Sequence, residues 1–249
     1  MSSSETGPAR LESKLVPRPW GGEIWFEPAA GPLPLLIKFI YTHEALSYQV
    51  HPGDEYAARH HNSRGKTEMW YVANATPEAK IGLGLNRAVT KEELRDAALT
   101  GEIEGLLNWV KPRRGDAYFT PAGTIHAIGA GVELWEVQEN SDITYRLFDY
   151  GRGRELHLEH ALNVSNLDVF DPAPASLPLC CPWFCVDKMS GSAENHPGVG
   201  KYQLLICVEG PGFVSGQPFN KGEVWMIPAG RPLELHAAAA TELLLAREP

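Results

Sequence analysis

The stretch GDAYFTPAGTIH, residues 115–126, decides how this chain folds. It has the spacing G-x5-P-x-G-x2-H, in which a Pro-x-Gly sequence separates a short apolar segment from a histidine. Glycine and proline are the residues that tight turns favour. We therefore expect a turn at 121–123 that fixes the direction of the His126 side chain.

The same frame returns near the end of the chain, as GEVWMIPAGRPL at residues 222–233. Leu233 stands where the histidine should be, so the second copy cannot supply that side chain. Two copies of one motif indicate two related β units. The Pro/Ala-rich segment 171–178 predicts the boundary between them. We expect a first domain at 1–170, which carries the candidate metal site described below, and a degenerate second domain at 171–249 without metal ligands.

The rest of the chain is typical of a mainly β protein. Its 24 glycines and 20 prolines divide it into short segments, many of them β-branched or aromatic, such as 35–41 and 133–137. Short strands with frequent turn residues predict a sandwich or barrel. One segment differs, because T-x-x-E at 90–93 is a capping box and apolar residues follow it at helical spacing. We expect two short helices, at about 90–100 and 102–110, inserted between strands.

Composition argues against several classes of function. The chain has 249 residues, of which 43% are hydrophobic, so it can bury the core of one large β domain or two small ones. Its net charge of −9, without a run of Lys or Arg, argues against nucleic acid and anionic membranes as partners. No apolar run reaches transmembrane length, and residues 1–8 lack a signal-peptide pattern. We expect a cytoplasmic protein.

The cysteines do not form a zinc-binding pattern. Three of the four lie at 180, 181 and 185, and Cys207 follows much later. A zinc knuckle needs two C-x-x-C pairs, and the sequence has neither. We expect four free thiols, buried or partly buried, in a reducing compartment.

Four other side chains form a candidate metal shell. Two imidazoles, a carboxylate and an amide oxygen suit zinc, and also iron(II) or manganese. Residues two apart on a strand face the same way, so Gln49 and His51 can point together. A carboxylate in the apolar segment that follows Lys66 is costly to bury unless it binds a cation. The proposed ligands are Gln49, His51, Glu68 and His126.

A second candidate group lies in the segment NSDITYRLFDY, residues 140–150. The segment is interpreted as a strand that carries Asp142, Thr144, Arg146 and Phe148 on one face. An arginine on an inner barrel face needs an anion. Arg146 therefore either pairs with Asp142 or Asp149, or it binds a phosphate or stabilises a developing oxyanion.

The remaining histidines give weaker signals. His60 and His61 lie in a polar segment, 57–65, and are interpreted as solvated loop residues. His157 and His160 have the spacing H-x2-H, but no convergent partner can be placed for them.

These motifs together resemble known families. Both copies of the G-x5-P-x-G frame resemble the second motif of the cupin superfamily, which delivers a metal-binding histidine. QVHP, GKTEMWY, GTIHA and QxNSDxTYRLxDY, with PWGGEIW at 19–25 and RELHL at 154–158, resemble the type I mannose-6-phosphate isomerases, especially their short bacterial form. The likeness runs from about residue 19 to 168. It implies two cupin-type (jelly-roll) β-barrel units with a short helical insertion around 90–110.

The resemblance also implies an activity and a set of residues. The activity is a metal-dependent interconversion of mannose 6-phosphate and fructose 6-phosphate through an enediol. It implies one Zn²⁺ per chain on the four ligands proposed above. Arg146 matches a catalytic arginine, Asp142 keeps its place four residues earlier, Lys66 matches a lysine near the sugar, and Glu136 matches a glutamate near the pocket. The partner would be a small sugar phosphate, bound by a monomer or homodimer.

Two other functions fit part of the same pattern. His51, Glu68 and His126 could form the two-histidine, one-carboxylate site of an iron(II) cupin oxygenase. A metal-stabilised cupin that binds sugar phosphates without turning them over would need the same residues. The sequence does not identify the general base: Lys66 would need a depressed pKa to serve, and a metal-bound water is the other candidate.

Overall fold

The computed structural model describes residues 7–196 and 200–249, with only the backbone at 193–196. These residues form two compact units. The larger unit consists of Leu15–Ile24 and Lys38–Ala175, and the smaller unit of the described residues through Lys14 together with Trp25–Ile37 and Ser176–Pro249. The sequence-based division into domains at 1–170 and 171–249 stays a prediction.

The described residues form short strands with a few short helices, which confirms the predicted mainly β class. The strands are β1 Ala9–Arg10, β2 Glu12–Arg18, β3 Gly21–Glu27, β4 Leu35–Thr42, β5 Tyr48–Val50, β6 Glu68–Ala75, β7 Ile81–Leu85, β8 Leu107–Val110, β9 Ala117–Thr120, β10 His126–Ile128, β11 Val132–Glu139, β12 Tyr145–Phe148, β13 Leu179–Cys180, β14 Cys185–Ser190, β15 Ala193–His196, β16 Gln203–Glu209, β17 Gly212–Val214, β18 Gln217–Phe219, β19 Val224–Ile227, β20 Leu233–Ala237 and β21 Glu242–Arg247. The helices are α1 Asp54–His61, α2 Lys91–Thr100 and α3 Leu158–Val164, with a 3-10 helix at Glu102–Leu106.

Two sheets make the barrel of the larger unit. One has the order β12-β5-β10-β7-β8, and the other has the order β2-β3-β4-β11-β6-β9. Side chains from both sheets meet in one apolar cluster, which includes Trp70 and Leu134 from one sheet and Leu83 and Ile128 from the other. The two sheets therefore close face to face, as in a jelly roll.

The outer face of the five-stranded sheet is covered by helices. Tyr48, Val50 and Ala127 pack there with residues of α2 and α3, such as Leu94 and Leu162. Successive residues of a strand point to opposite faces. The residues that alternate with these three, on β5 and β10, therefore face the barrel interior.

The helical insertion begins as the sequence predicts and ends earlier. Thr90 is the N-cap of α2, its side chain accepts the Glu93 N–H, and the Glu93 carboxylate accepts the Thr90 N–H, so the capping box is complete. Gly101 ends the helix at φ +85°. The predicted second helix is correct over Glu102–Leu106, but 107–110 is the strand β8, paired with β7. These apolar residues have helical spacing, but pairing with β7 at the edge of the sheet stabilises them as a strand.

The repeated frame builds the same turn twice. The first copy is β9, a turn and β10, and the second is β19, a turn and β20. The glycine two residues after each proline has a positive φ, +88° at Gly123 and +72° at Gly230. Only glycine adopts this conformation readily. A side chain at Gly123 would also approach the Val164 carbonyl oxygen at 2.9 Å. This glycine therefore fixes the strand that delivers His126.

The smaller unit has an apolar interior. Its sheets have the orders β1-β19-β16-β21-β14-β13 and β15-β20-β17-β18. Leu205, Trp225 and Leu243 from the first sheet meet Leu233 and Leu235 from the second. Leu233, which replaces the histidine of the first copy, is fully buried there. The residue that could have been a ligand is part of a packed core.

The prediction of four free thiols is wrong for two of the cysteines. Cys180 and Cys185 face each other on the paired strands β13 and β14 and are joined in a disulfide. Sequence spacing alone could not reveal this cross-strand pairing. Cys181 is half-buried and outside this disulfide. Cys207 is buried, and burial raises the pKa of its thiol. Among the described residues, none of the helices is both long and apolar enough to span a lipid bilayer.

Candidate active site

Three of the predicted site residues form one row across neighbouring strands. His126 on β10 pairs with Gln49 on β5, and Gln49 pairs with Arg146 on β12. All three alternate with residues that pack against the helices, so they share the interior face. The row places two proposed metal ligands beside an arginine.

Backbone hydrogen bonds bring the other two ligands to the row. His51 directly follows β5, and Glu68 is the first residue of β6. The Lys66 N–H donates to the Pro52 carbonyl at 2.9 Å, and the Gly123 N–H donates to the His51 carbonyl at 2.8 Å. These bonds tie the three ligand-bearing segments together.

The ligand atoms of the two histidines and Glu68 converge in the interior. His51 Nε2 lies 3.6 Å from one Glu68 carboxylate oxygen, and His126 Nε2 lies 3.6 Å from the other. The three groups are fully buried, and their ligand atoms all lie within 4.8 Å of one another. Such spacing is that of donors arranged around a common centre.

Hydrogen bonds orient both imidazoles toward this centre. His51 Nδ1 donates to the Ile143 carbonyl at 2.8 Å, and His126 Nδ1 donates to the Thr124 carbonyl at 2.9 Å. Each ring therefore presents the lone pair of Nε2 inward, the arrangement found for metal-bound histidines. Burial lowers the pKa of His126 to about 4 and the pKa of His51 well below its ordinary value. Both rings are neutral at neutral pH, as metal ligation requires.

The donor set fits a divalent cation. Glu68 Oε1 is buried without a hydrogen-bond partner among the described residues, which is costly for a carboxylate oxygen. The Lys66 ammonium contacts Glu68 Oε2 and lies 3.1 Å from His51 Nε2, so two of the donors already contact a positive charge. Two neutral imidazoles and a carboxylate suit zinc and other first-row metals.

Gln49 reaches the same centre with its amide group. Its Nε2 lies 3.2 Å from His126 Nε2, while its Oε1 accepts a hydrogen bond from Ser47 Oγ at 3.3 Å. As a metal ligand, the amide would have to turn over so that its oxygen faces His126.

A network of buried charges extends from the metal ligands. Lys66 Nζ lies 3.5 Å from Glu136, and Lys38 Nζ lies 3.7 Å from the same carboxylate. Trp70 Nε1 donates to Glu136 at 3.1 Å. Burial alone would lower the pKa of Lys66, but Glu136 and Glu68 raise it above its ordinary value. Lys66 is therefore held as a cation, contrary to the depressed pKa that a general base would need.

Gln49 and Arg146 of the row, together with the charged network, line a cavity of about 240 Å³. Its volume accommodates a small organic molecule. Its lining residues are Arg18, Trp20, Glu23, Lys38, Ile40, Leu46, Gln49, Lys66, Glu68, Trp70, Ile128, Glu136, Asp142, Thr144, Arg146, Arg154 and His157.

Arg146 forms neither of the structural ion pairs considered for it. Asp142 lies 3.6 Å from Lys38 Nζ, and Asp149 is paired with Arg152 and Arg154. Among the described residues, the buried Nε of Arg146 has no hydrogen-bond partner. The guanidinium is therefore available to an anion.

Comparisons with known proteins identify the family. A mannose-6-phosphate isomerase of Bacillus subtilis (strain 168) is 40% identical over 225 residues, which cover 79% of this chain and 70% of that protein. The chain belongs to the mannose-6-phosphate isomerase family. The corresponding enzyme of Streptococcus mutans is 38% identical over 202 residues, covering 73% of this chain and 63% of that enzyme. The chain thus spans about two thirds of the length of these relatives.

A solved structure of the family has the same fold. The crystal structure of the mannose 6-phosphate isomerase from Bacillus subtilis matches with a TM-score of 0.86 at 26% identity, covering 97% of this chain and all of that one. The match confirms the predicted cupin-type architecture. No family model matches the chain.

Several cavity residues of this family member were not predicted as site residues from the sequence. Lys38 is the single charged residue of the apolar strand β4. Because a buried lysine needs a polar partner, its position could have indicated a charged site. Arg18 directly precedes the motif at 19–25, and Arg154 begins the motif at 154–158. Both motifs served only to recognise the family.

The strand expected at the Asp142–Phe148 segment is shorter in this isomerase-family fold. Only Tyr145–Phe148 is a strand, and its register shifts between Arg146 and Phe148. Because of that irregularity, Phe148 packs with the helix-covered cluster instead of sharing the face of Arg146. Asp142 and Thr144 still line the cavity.

The predicted loop at 57–65 is wrong over its first part, since α1 extends to His61. His60 stacks on Tyr56, and His61 Nε2 lies 2.6 Å from the Tyr145 hydroxyl. His160 on α3 stacks on Tyr145. These histidines join α1 and α3 outside the cavity. His60 and His61 are both exposed, as expected.

Glu139 supports the segment that carries Lys66 and leads into β6 at Glu68. Its carboxylate accepts the Thr67 N–H at 2.8 Å, and its own N–H donates to the Thr67 carbonyl at 3.1 Å. Burial raises the pKa of Glu139 to about 7, and the neighbouring Asp54 carboxylate adds to the shift, against the Thr67 N–H and Arg64. The group therefore links stability to pH.

We expect Glu139→Gln to weaken the dependence of unfolding free energy on pH. Between about pH 4.5 and about pH 7, folded Glu139 keeps a proton that the unfolded chain has released, so its contribution to stability falls as pH rises. The introduced amide cannot titrate but still accepts the Thr67 N–H. Denaturant unfolding across this range should show the variant gaining stability relative to the natural protein. The exposed Glu133→Gln on the same strand is the control, and an equal gain there would contradict the assignment.

Proposed function

We propose that the chain is an aldose–ketose isomerase that interconverts mannose 6-phosphate and fructose 6-phosphate and uses zinc. The observation that carries this is the row of His126, Gln49 and Arg146 on one interior face. It places two proposed metal ligands and an available guanidinium on the same face of one sheet, in a chain 40% identical to a protein named as a mannose-6-phosphate isomerase.

The cavity residues suit the chemistry of isomerisation. A proton leaves the carbon beside a carbonyl and returns to the neighbouring carbon, and negative charge builds on the sugar oxygens as the enediol forms. His51, Glu68 and His126, with Gln49, would hold the metal, which would polarise a sugar oxygen as a Lewis acid. Arg146 would stabilise the charge on the adjacent oxygen. Lys38 and Lys66 would donate hydrogen bonds to hydroxyl groups.

The other two functions have less support. An iron(II) oxygenase needs only His51, Glu68 and His126, and it leaves Gln49 and Arg146 without a role. A non-catalytic sugar-phosphate binder does not need a metal placed beside a guanidinium. The names of the relatives favour neither alternative.

Removal of the metal tests the proposal. We expect dialysis against a chelator to abolish the conversion of mannose 6-phosphate, and one equivalent of zinc to restore it. Metal analysis before and after dialysis would confirm that the metal was lost and regained. Iron uptake with oxygen consumption would support the oxygenase instead. Tight binding of fructose 6-phosphate by the zinc-loaded protein without turnover would support the non-catalytic alternative.

A further inference from the structure

The cavity concentrates positive charge in an acidic protein. The whole chain has a net charge of −9. The cavity lining instead holds five Lys or Arg side chains against four carboxylates. The cations are Arg18, Lys38, Lys66, Arg146 and Arg154, and the carboxylates are Glu23, Glu68, Glu136 and Asp142. An excess of positive charge in a recess attracts anionic ligands.

Three of the five cations are already neutralised by carboxylates. Lys66 and Lys38 share Glu136, as described above, and Lys38 also lies 3.6 Å from Asp142. Arg18 makes two hydrogen bonds to Glu23, at 3.1 and 3.0 Å. Arg146 and Arg154 are therefore the two cavity cations that are not paired with a carboxylate of the cavity lining.

Arg154 is held in place by a carboxylate that it shares. Its Nε donates to buried Asp149 at 2.7 Å, and a second nitrogen contacts the other oxygen of that carboxylate. Arg152 lies 3.5 Å from the same group. Arg152 pairs more closely with Glu44, at 2.9 Å, so Asp149 mainly positions Arg154. Arg154 is thus held in a fixed position through Nε and one terminal nitrogen, and its side chain, 24% exposed, lines the cavity.

His157 adds a neutral donor next to Arg146. The Arg146 N–H donates to His157 Nδ1 at 3.2 Å, and the His157 N–H donates to the Arg146 carbonyl at 2.8 Å. Because Nδ1 is an acceptor, the ring proton of neutral His157 is on Nε2. Burial, and then Arg146, lower the pKa of His157, which favours this neutral form.

The strand pairings and the His157 contacts place the metal ligands, Arg146 and His157 in that order across the sheet. His126, Gln49 and Arg146 lie on the adjacent strands β10, β5 and β12, and His157 binds the outer edge of β12. Neighbouring strands lie about 4.8 Å apart, so the backbone positions of His126 and Arg146 are separated by roughly two strand spacings, or about 10 Å. An extended hexose with its carbonyl end at the metal ligands would direct its sixth carbon toward the edge of β12.

We propose that Arg154 and His157 form the phosphate-binding end of the cavity, on the far side of Arg146 from the metal ligands. Arg154 would bind the terminal phosphate as a guanidinium, and His157 would donate from Nε2. This inference rests on the proposed isomerase function, because that function places the reacting end of the sugar at the metal ligands. It assigns the preference for a phosphorylated sugar to residues outside the metal shell.

Steady-state kinetics of Arg154→Ala test the inference. We expect KM for mannose 6-phosphate to rise by roughly 10- to 100-fold, the usual effect of losing a charge-assisted bond, with kcat within about threefold of the natural value. The inhibition constant of inorganic phosphate should rise in parallel. Arg152→Ala is the matched control, because Arg152 contacts the same Asp149 but does not line the cavity. It should leave both constants unchanged.

Circular dichroism would reveal whether Arg154→Ala folds. If it does not fold, two further variants test the proposal. Arg154→Lys keeps the charge and should raise KM less than alanine does. His157→Asn keeps an acceptor for the Arg146 N–H but removes the Nε2 donor, and should raise KM by roughly 2- to 10-fold. A folded Arg154→Ala protein with natural KM and phosphate inhibition would overturn the proposal. So would a loss of kcat alone, since it would assign Arg154 to the chemistry.

Direct phosphate binding separates this inference from the proposed function. Inorganic phosphate should raise the melting temperature of the natural protein and of Arg152→Ala, but not that of Arg154→Ala. If the zinc-loaded natural protein shows this pattern without isomerase activity, the isomerase proposal fails and the phosphate site stands. If the natural protein isomerises mannose 6-phosphate but the variants do not differ, the phosphate site fails alone.

Discussion

His126→Ala is expected to lose both zinc and isomerase activity. The variant removes one of two imidazoles whose Nε2 atoms face the buried Glu68 carboxylate. Loss of a residue that only orients a ligand typically weakens metal binding roughly 10- to 100-fold, so loss of a ligand should weaken it by more than about 100-fold. Zinc content after gel filtration and a competition titration with a chromogenic chelator measure this directly, without relying on turnover.

A histidine from the second copy of the motif is the control for this variant. His236 lies on β20, the strand that corresponds to β10, and its side chain is exposed. His236→Ala should keep stoichiometric zinc and full activity. If His126→Ala also kept stoichiometric zinc with natural affinity, His126 would not be a ligand, and the metal would have to bind elsewhere.

Arg146→Ala is expected to lower kcat by roughly 100- to 1,000-fold, the usual effect of removing one preorganised donor to a developing negative charge. Its buried Nε has no hydrogen-bond partner among the described residues, so the change breaks no structural ion pair there. Zinc content and the unfolding transition should therefore remain close to natural. Steady-state kinetics on mannose 6-phosphate, with metal analysis of the same sample, measure both.

Arg146→Lys distinguishes charge from geometry at this position. Lysine keeps the positive charge but loses the planar set of donors, so we expect partial recovery of kcat relative to alanine. A rise in KM at unchanged kcat in Arg146→Ala would contradict a role in the chemistry. It would leave Arg146 as a phosphate-binding residue only.

The four candidate metal ligands could be proposed from the sequence because they lie in short segments with strong local geometry. His126 follows a Pro-x-Gly turn, and Gln49 and His51 are two apart beside Pro52. Glu68 is a charge at the start of an apolar strand. Each segment limits where its side chain can point, and the structure brings all four side chains to one interior position.

Features that depend on packing were not predicted. The apolar residues of β8 have helical spacing, but they complete the edge of the five-stranded sheet. Phe148 leaves the face of Arg146 because the register of β12 shifts beside β5. Cys180 and Cys185 meet only because their strands pair. In each case a neighbouring strand, distant or close in sequence, decides the outcome.

The sequence by itself determined the mainly β class and the four candidate metal ligands, because turns and alternating strands encode these features locally. Its motifs also resemble those of the cupins and the mannose-6-phosphate isomerases. Only the tertiary structure decided which cations in the cavity are neutralised. Asp142 pairs with Lys38, and Asp149 pairs with Arg152 and Arg154, so Arg146 is left for an anion. Ion pairing depends on distances between side chains from separate segments, and sequence spacing does not contain those distances.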